Sequence, residues 1–136
     1  MRKVLFVLFT SIVVAGCNKS TQALKEMITG ADSVAINYFT GDGSMDTVTS
    51  VKIIRDKDSI EAITSFITTG DVPVKNNCGY NGSIHFFKND RVVQDIYFSA
   101  GDECRQFLFR SDGKDAAGKL TDKAKEFLLP RKKSRF

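Results

Sequence analysis

The chain has 136 residues, with 20 Lys+Arg against 16 Asp+Glu for a formal net charge of +4, and 42% of its residues are apolar. That length suits one domain of common size, and the apolar share excludes a disordered or collagen-like chain. One histidine and three cysteines leave little material for a metal site, so no cofactor is expected.

The first element is a leader. Arg2 and Lys3 precede the apolar run Val4 to Phe9 and, after Thr10-Ser11, Ile12 to Val14. This run is too short for a permanent span of a bilayer about 30 Å thick, which takes roughly 20 residues, so residues 1–16 read as a signal peptide. The small residues of Val14-Ala15-Gly16-Cys17 give a peptidase room before the thiol. The run resembles the lipobox of bacterial lipoproteins. That resemblance implies cleavage before Cys17, S-diacylglycerylation of its thiol and acylation (palmitate, for instance) of its amine. Two or three chains hold a protein on a membrane where one, at about 0.8 kcal/mol per buried methylene, does not. Asn18 is not the aspartate that resembles an inner-membrane retention signal, which favours the outer membrane in a host with two membranes. The competing reading is ordinary secretory cleavage beside a chance cysteine.

With residues 1–16 removed, 120 remain, and residues 17–19 are the anchor and a short linker. Ser20 or Thr21 caps a helix carrying Leu24, Met27 and Ile28, with Gly30 as its stop. Val34, Ile36 and Tyr38 alternate as a strand over 33–40. Gly41-Asp42-Gly43-Ser44 turns the chain, and 46–54 returns as a second strand. Asp58-Ser59-Ile60-Glu61 has the form of a capping box, followed by Ile60, Ile63, Phe66 and Ile67 on one helical face as far as Gly70. The segment 71–77, with Pro73, reads as a loop.

Strands 83–88 and 91–99 flank Asn89-Asp90, a two-residue loop suited to positive φ. Gln106 to Arg110 gives another strand, ended by Asp112-Gly113, and 116–120 pairs beyond it. Thr121 caps a last helix carrying Ala124, Phe127 and Leu128, which Pro130 stops. The class is therefore α+β: a single domain over 20–130, with an antiparallel sheet of five to six strands built from hairpins and helices packed on one face. The tail 131–136 holds four cations, so the body between leader and tail carries 14 basic residues against 16 acidic ones. The tail reads as a solvated terminus, or as a contact for anionic lipid headgroups or acidic polymer at about 1 kcal/mol per cation.

With Cys17 assigned to lipid, Cys78 and Cys104 remain, and an exported chain makes a bridge between them the default. It closes 26 residue steps, for which the chain-entropy model gives about 3.5 kcal/mol. A metal pair or a reactive thiol are the competing readings. The stretch Asn77-Cys78-Gly79-Tyr80-Asn81-Gly82-Ser83-Ile84-His85-Phe86-Phe87-Lys88, with Cys104-Arg105 before a Phe-rich strand, is similar to a pattern in small uncharacterised bacterial lipoproteins. They pair a Cys-Gly-Tyr turn and aromatic hairpin with a later cysteine and a C-terminal helix. The resemblance covers about residues 50–129, implies no activity, and supports the pairing of Cys78 with Cys104.

Chemistry is sparse. His85 lies mid-strand between Ile84 and Phe86, no acid partner for it is recognisable, and no serine stands in a G-x-S-x-G elbow. Its replacement by alanine is expected to cost no more than about 0.5 kcal/mol if no buried hydrogen bond is lost. Asp102-Glu103 reads as loop and Asp56/Asp58 as helix cap. Gly41-Asp42-Gly43 and Asp112-Gly113-Lys114-Asp115 lack the ligand spacing of a calcium loop and read as turns. Tyr80, His85, Phe86, Phe87, Tyr97, Phe98, Phe107 and Phe109 crowd the second half, and strand alternation sends about half of them away from the core. Tyr80, His85, Phe87 and Tyr97 are the candidate binding surface. The expected function is a lipid-anchored envelope protein acting by binding, as an inhibitor or accessory module, with no catalytic role and no nucleic-acid partner. An envelope hydrolase centred on His85 and a purely structural envelope lipoprotein are the alternatives.

Overall fold

The computed structural model describes residues 19–40, 47–76, 78–101 and 103–129. Cys17, the 41–44 turn, Asp102, Pro130 and the basic tail lie outside the described residues. In chain order the elements are α1 (Lys19–Ile28), β1 (Ser33–Phe39), β2 (Val48–Ile54), α2 (Lys57–Ile67), β3 (Asp71–Val72), β4 (Gly82–Lys88), β5 (Arg91–Ser99), β6 (Gln106–Ser111), β7 (Lys114–Lys119) and α3 (Asp122–Leu128). The strands form one sheet in the order β2-β1-β4-β5-β6-β7-β3, with every pair antiparallel.

Turn chemistry sets most of this order. Asn89 and Asp90 have φ of 50° and 62°, and Asp112 and Gly113 have 52° and 75°, so both tight hairpins close on turns with two positive φ values, whose twist matches that of the flanking strands. Alternation then sorts the side chains. Val34, Ile36, Ile84, Phe86, Ile96, Phe98, Phe107 and Phe109 share one face and pack with Leu24, Ile28, Ile60, Ile63, Ile67, Ala124 and Leu128 of the three helices. The helices therefore cover one face of the sheet, as expected for the α+β class.

The seventh strand is the one the sequence reading placed in a loop. Asp71 and Val72 pair with Gly118 and Ala117 at the sheet edge, in a two-residue run too short to show alternation. Gly118 is required there because a Cβ would lie 2.8 Å from the Ile67 carbonyl oxygen. The same hook supplies the cap of α1. Neither Ser20 nor Thr21 caps that helix: both are inside it, and their N–H groups donate to the Asp71 carboxylate at 3.1 and 2.8 Å. A carboxylate some 50 residues away takes over the local cap, so Asp71→Ala should lower stability by about 1 to 2 kcal/mol in chemical denaturation, as for loss of a strong N-cap.

The second helix also starts earlier than expected. Asp56, not Asp58, is its N-cap and accepts from Ser59 N–H. Hydrogen bonding from Ser59, its hydroxyl first and its N–H second, holds the Asp56 carboxyl below its ordinary value. Its stabilisation of α2 is thus present above the ordinary carboxylate range and fades as pH falls through the lowered value. Thr121 caps α3 as expected, accepting from Ala124 N–H.

Candidate functional site

The face of the sheet away from the helices carries the site. Ser83, His85 and Phe87 of β4 alternate outward there, and pairing places Asn37 beside Ser83, Ala35 beside His85 and Asp95 across from His85. The last pairing depends on a bulge. A two-residue turn sets Lys88 opposite Arg91 and Phe87 opposite Val92, a register that would bring Gln94 to His85. One extra residue, Val93, shifts it between Phe87 and Phe86, so that Asp95 arrives instead.

The result is a line of three side chains. His85 Nδ1 lies 2.5 Å from Asp95 Oδ1, and His85 Nε2 lies 2.8 Å from Ser83 Oγ and 3.1 Å from Asn37 Nδ2. The contacts fit a ring whose Nδ1–H donates to the carboxylate and whose single Nε2 lone pair is shared between the hydroxyl and the amide. No acid partner for His85 is recognisable in the sequence, and Asp95 is that partner in the fold. The small effect expected for His85→Ala is conditional on losing no buried hydrogen bond, and the bond to Ser83 is one. Ser83 is only 3% exposed, and a buried hydroxyl stripped of its partner costs about 1 to 3 kcal/mol. His85→Ala should therefore destabilise by that amount in urea titration, and Ser83→Ala combined with it should recover part of the loss.

Hydroxyl, imidazole and carboxylate in this order are the parts of a nucleophilic triad. Among the described residues its usual oxyanion site has no counterpart around Ser83. Ser83 pairs on both sides, with Asn37 and with Tyr97, so neighbouring main-chain N–H groups are engaged in the ladders rather than aimed at a developing oxyanion. A cavity of about 480 Å³ between β5 and β6 is lined by Val92, Asp95, Tyr97, Leu108, Arg110 and Asp115 among others, but by neither Ser83 nor His85.

Around the polar line the open face is apolar. Val48, Val51, Ile53 and Val92, each 45 to 55% exposed, share it with half-buried Phe39, Phe87, Tyr97 and Leu108. All four candidate surface residues are here: Phe87 and His85 stand on β4, Tyr97 on β5, and the Tyr80 ring packs on Tyr97 at 5.5 Å. Burial first, and then the negative charge of Asp115, push the Tyr80 hydroxyl above its ordinary value. Phe86, Phe98, Phe107 and Phe109 point the other way and are buried, so the aromatic cluster divides equally between core and open face. Exposed Val48, Val51 and Ile53 were not foreseen as part of the surface, although β2's alternation contained them.

The loop leading into β4 crosses one end of this face and is fixed there. Cys78 and Cys104 are bonded, with Cα atoms 5.8 Å apart. The Gln106 amide exchanges two hydrogen bonds with the Lys75 main chain, and Ser99 Oγ donates to Gly79 carbonyl. Among the described residues no group of His, Cys, Asp and Glu could hold a metal ion, and no helix is long and apolar enough to cross a membrane. No protein family, curated protein or solved structure matches the chain.

Proposed function

We propose that this is a lipid-anchored protein of the bacterial cell envelope that acts by binding, through the open face of its sheet. The observation that carries the reading is that face itself: four exposed aliphatic side chains and a row of half-buried aromatics surround a polar centre. Contiguous exposed apolar surface on a small folded domain marks an interaction site. The anchor rests on the lipobox resemblance at Cys17, and the disulfide fits an oxidising compartment.

Cys17→Ala is expected to move the protein from the membrane fraction to the soluble one, and mass spectrometry of the mature wild-type chain should find an acylated cysteine at its start. An unmodified terminus, or a variant still firmly bound to membrane, would remove the anchor from the account.

One observation favours a second reading, an envelope hydrolase: the Ser83–His85–Asp95 line. Binding is preferred because Ser83 is buried, off the cavity and without a visible oxyanion site. A fluorophosphonate probe separates the two. The binding reading predicts no adduct on Ser83, whereas an adduct that forms in wild type and is lost in Asp95→Asn would establish the hydrolase.

A further inference from the structure

The sheet is split in its middle. β5 and β6 pair over only three positions, Tyr97 with Leu108, Phe98 with Phe107 and Ser99 with Gln106. β5 nevertheless continues as strand through Arg91–Ile96, held by β4 alone, while β6 continues as far as Ser111, held by β7 alone. The Val93 bulge lies in this stretch of β5, and a bulge bends its strand and increases the local twist. The cavity of about 480 Å³ fills the gap between β5 and β6.

Over Arg91–Ile96, about 20 Å of strand, the main-chain groups that alternate residues turn away from β4 meet no neighbouring strand, although the Asp95 carbonyl accepts from Gln94 Nε2. The edge is only partly protected, by the Val93 bulge and by that Gln94 amide; Arg91 at its tip is its only cation and it has no proline. A partner that meets such a row must donate and accept at the same repeat, which an extended polypeptide does. The walls add side-chain preference. Val92, Tyr97 and Leu108 are apolar, and the charged groups are Asp95 and Asp115 against Arg110. Arg110 is already engaged, its Nη2 donating to the Gly113 carbonyl at 2.7 Å and its Nε 3.9 Å from Asp115. One negative charge is left over among these three.

We infer that the wedge between β5 and β6 takes an extended peptide segment by strand addition along Arg91–Ile96, with a basic side chain directed at Asp95 and Asp115 and apolar ones on Val92 and Leu108. This rests on the binding reading above and names the class of partner. His85 has a part in it: by holding Oδ1 of Asp95 it fixes the carboxylate at the rim of the wedge.

The test is selection of a random decapeptide library, displayed on phage, against the full-length protein in detergent micelles, followed by synthesis of the enriched peptides. Enriched sequences should alternate apolar residues about a lysine or arginine. Their affinity should fall at least tenfold when alternate peptide nitrogens are methylated, a change made in the ligand alone. It should also fall at least tenfold against Asp115→Asn, a substitution at an exposed position, and against Asp95→Asn, and stay unchanged against Val51→Lys. No enrichment, or peptides indifferent to N-methylation or to both aspartate changes, overturns strand addition in the wedge. If binding is lost with Val51→Lys instead, the open-face reading stands while this one fails.

Discussion

Replacing Cys78 and Cys104 together by alanine is expected to lower the free energy of unfolding by about 3.5 kcal/mol, the chain-entropy value for the loop they close. The bridge spans 26 residues and ties the loop before β4 to the start of β6. Without it that loop keeps the Gln106–Lys75 and Ser99–Gly79 hydrogen bonds, so the native structure survives and the loss comes chiefly from the freedom regained by the unfolded chain. Guanidinium titration of the oxidised wild type against the double variant measures this. A difference under about 1 kcal/mol would show that the bridge adds little beyond those hydrogen bonds.

Phe98→Ala should cost about 3 to 5 kcal/mol, the range for deleting a fully buried aromatic ring. Phe98 is wholly buried, meets Tyr38 edge to face at 6.3 Å between ring centroids, and lies over Gly82. A Cβ on Gly82 would collide with both the Phe98 ring and the Asn37 carbonyl oxygen, so this ring has been fitted against bare main chain. Main chain in the middle of a sheet cannot move in to fill the space, which places the expected cost high in the range. A measured loss below about 2 kcal/mol would mean that Tyr38 and the helices collapse into the cavity.

Most of the fold was legible because its signals are local. Asn89-Asp90 and Asp112-Gly113 announced two hairpins, and the spacing of Ile60, Ile63 and Ile67 announced α2. What failed to show was non-local. β3 is two residues long and exists because β7 offers an edge; its Asp71 then displaces Ser20 and Thr21 as the cap of α1. The site was half legible for a similar reason. His85 and Phe87 could be assigned to one face by counting, but Asp95 reaches His85, and Tyr97 joins the same face, only through a bulge that a two-residue turn does not predict. Ser83 was within reach of the reading, since residues two apart on a strand share a face.

The open face is the center of this account, and photocrosslinking in the native host tests it most directly. A benzophenone amino acid is placed at Val51, Ile53 or Val92 on the open face, and at Glu61 on the solvent side of α2 as control, each at an exposed position. The account predicts a discrete adduct of the same mass from the three open-face positions and none from Glu61. Adducts from Glu61 alone, or no adduct from any open-face position at normal protein abundance, would contradict it.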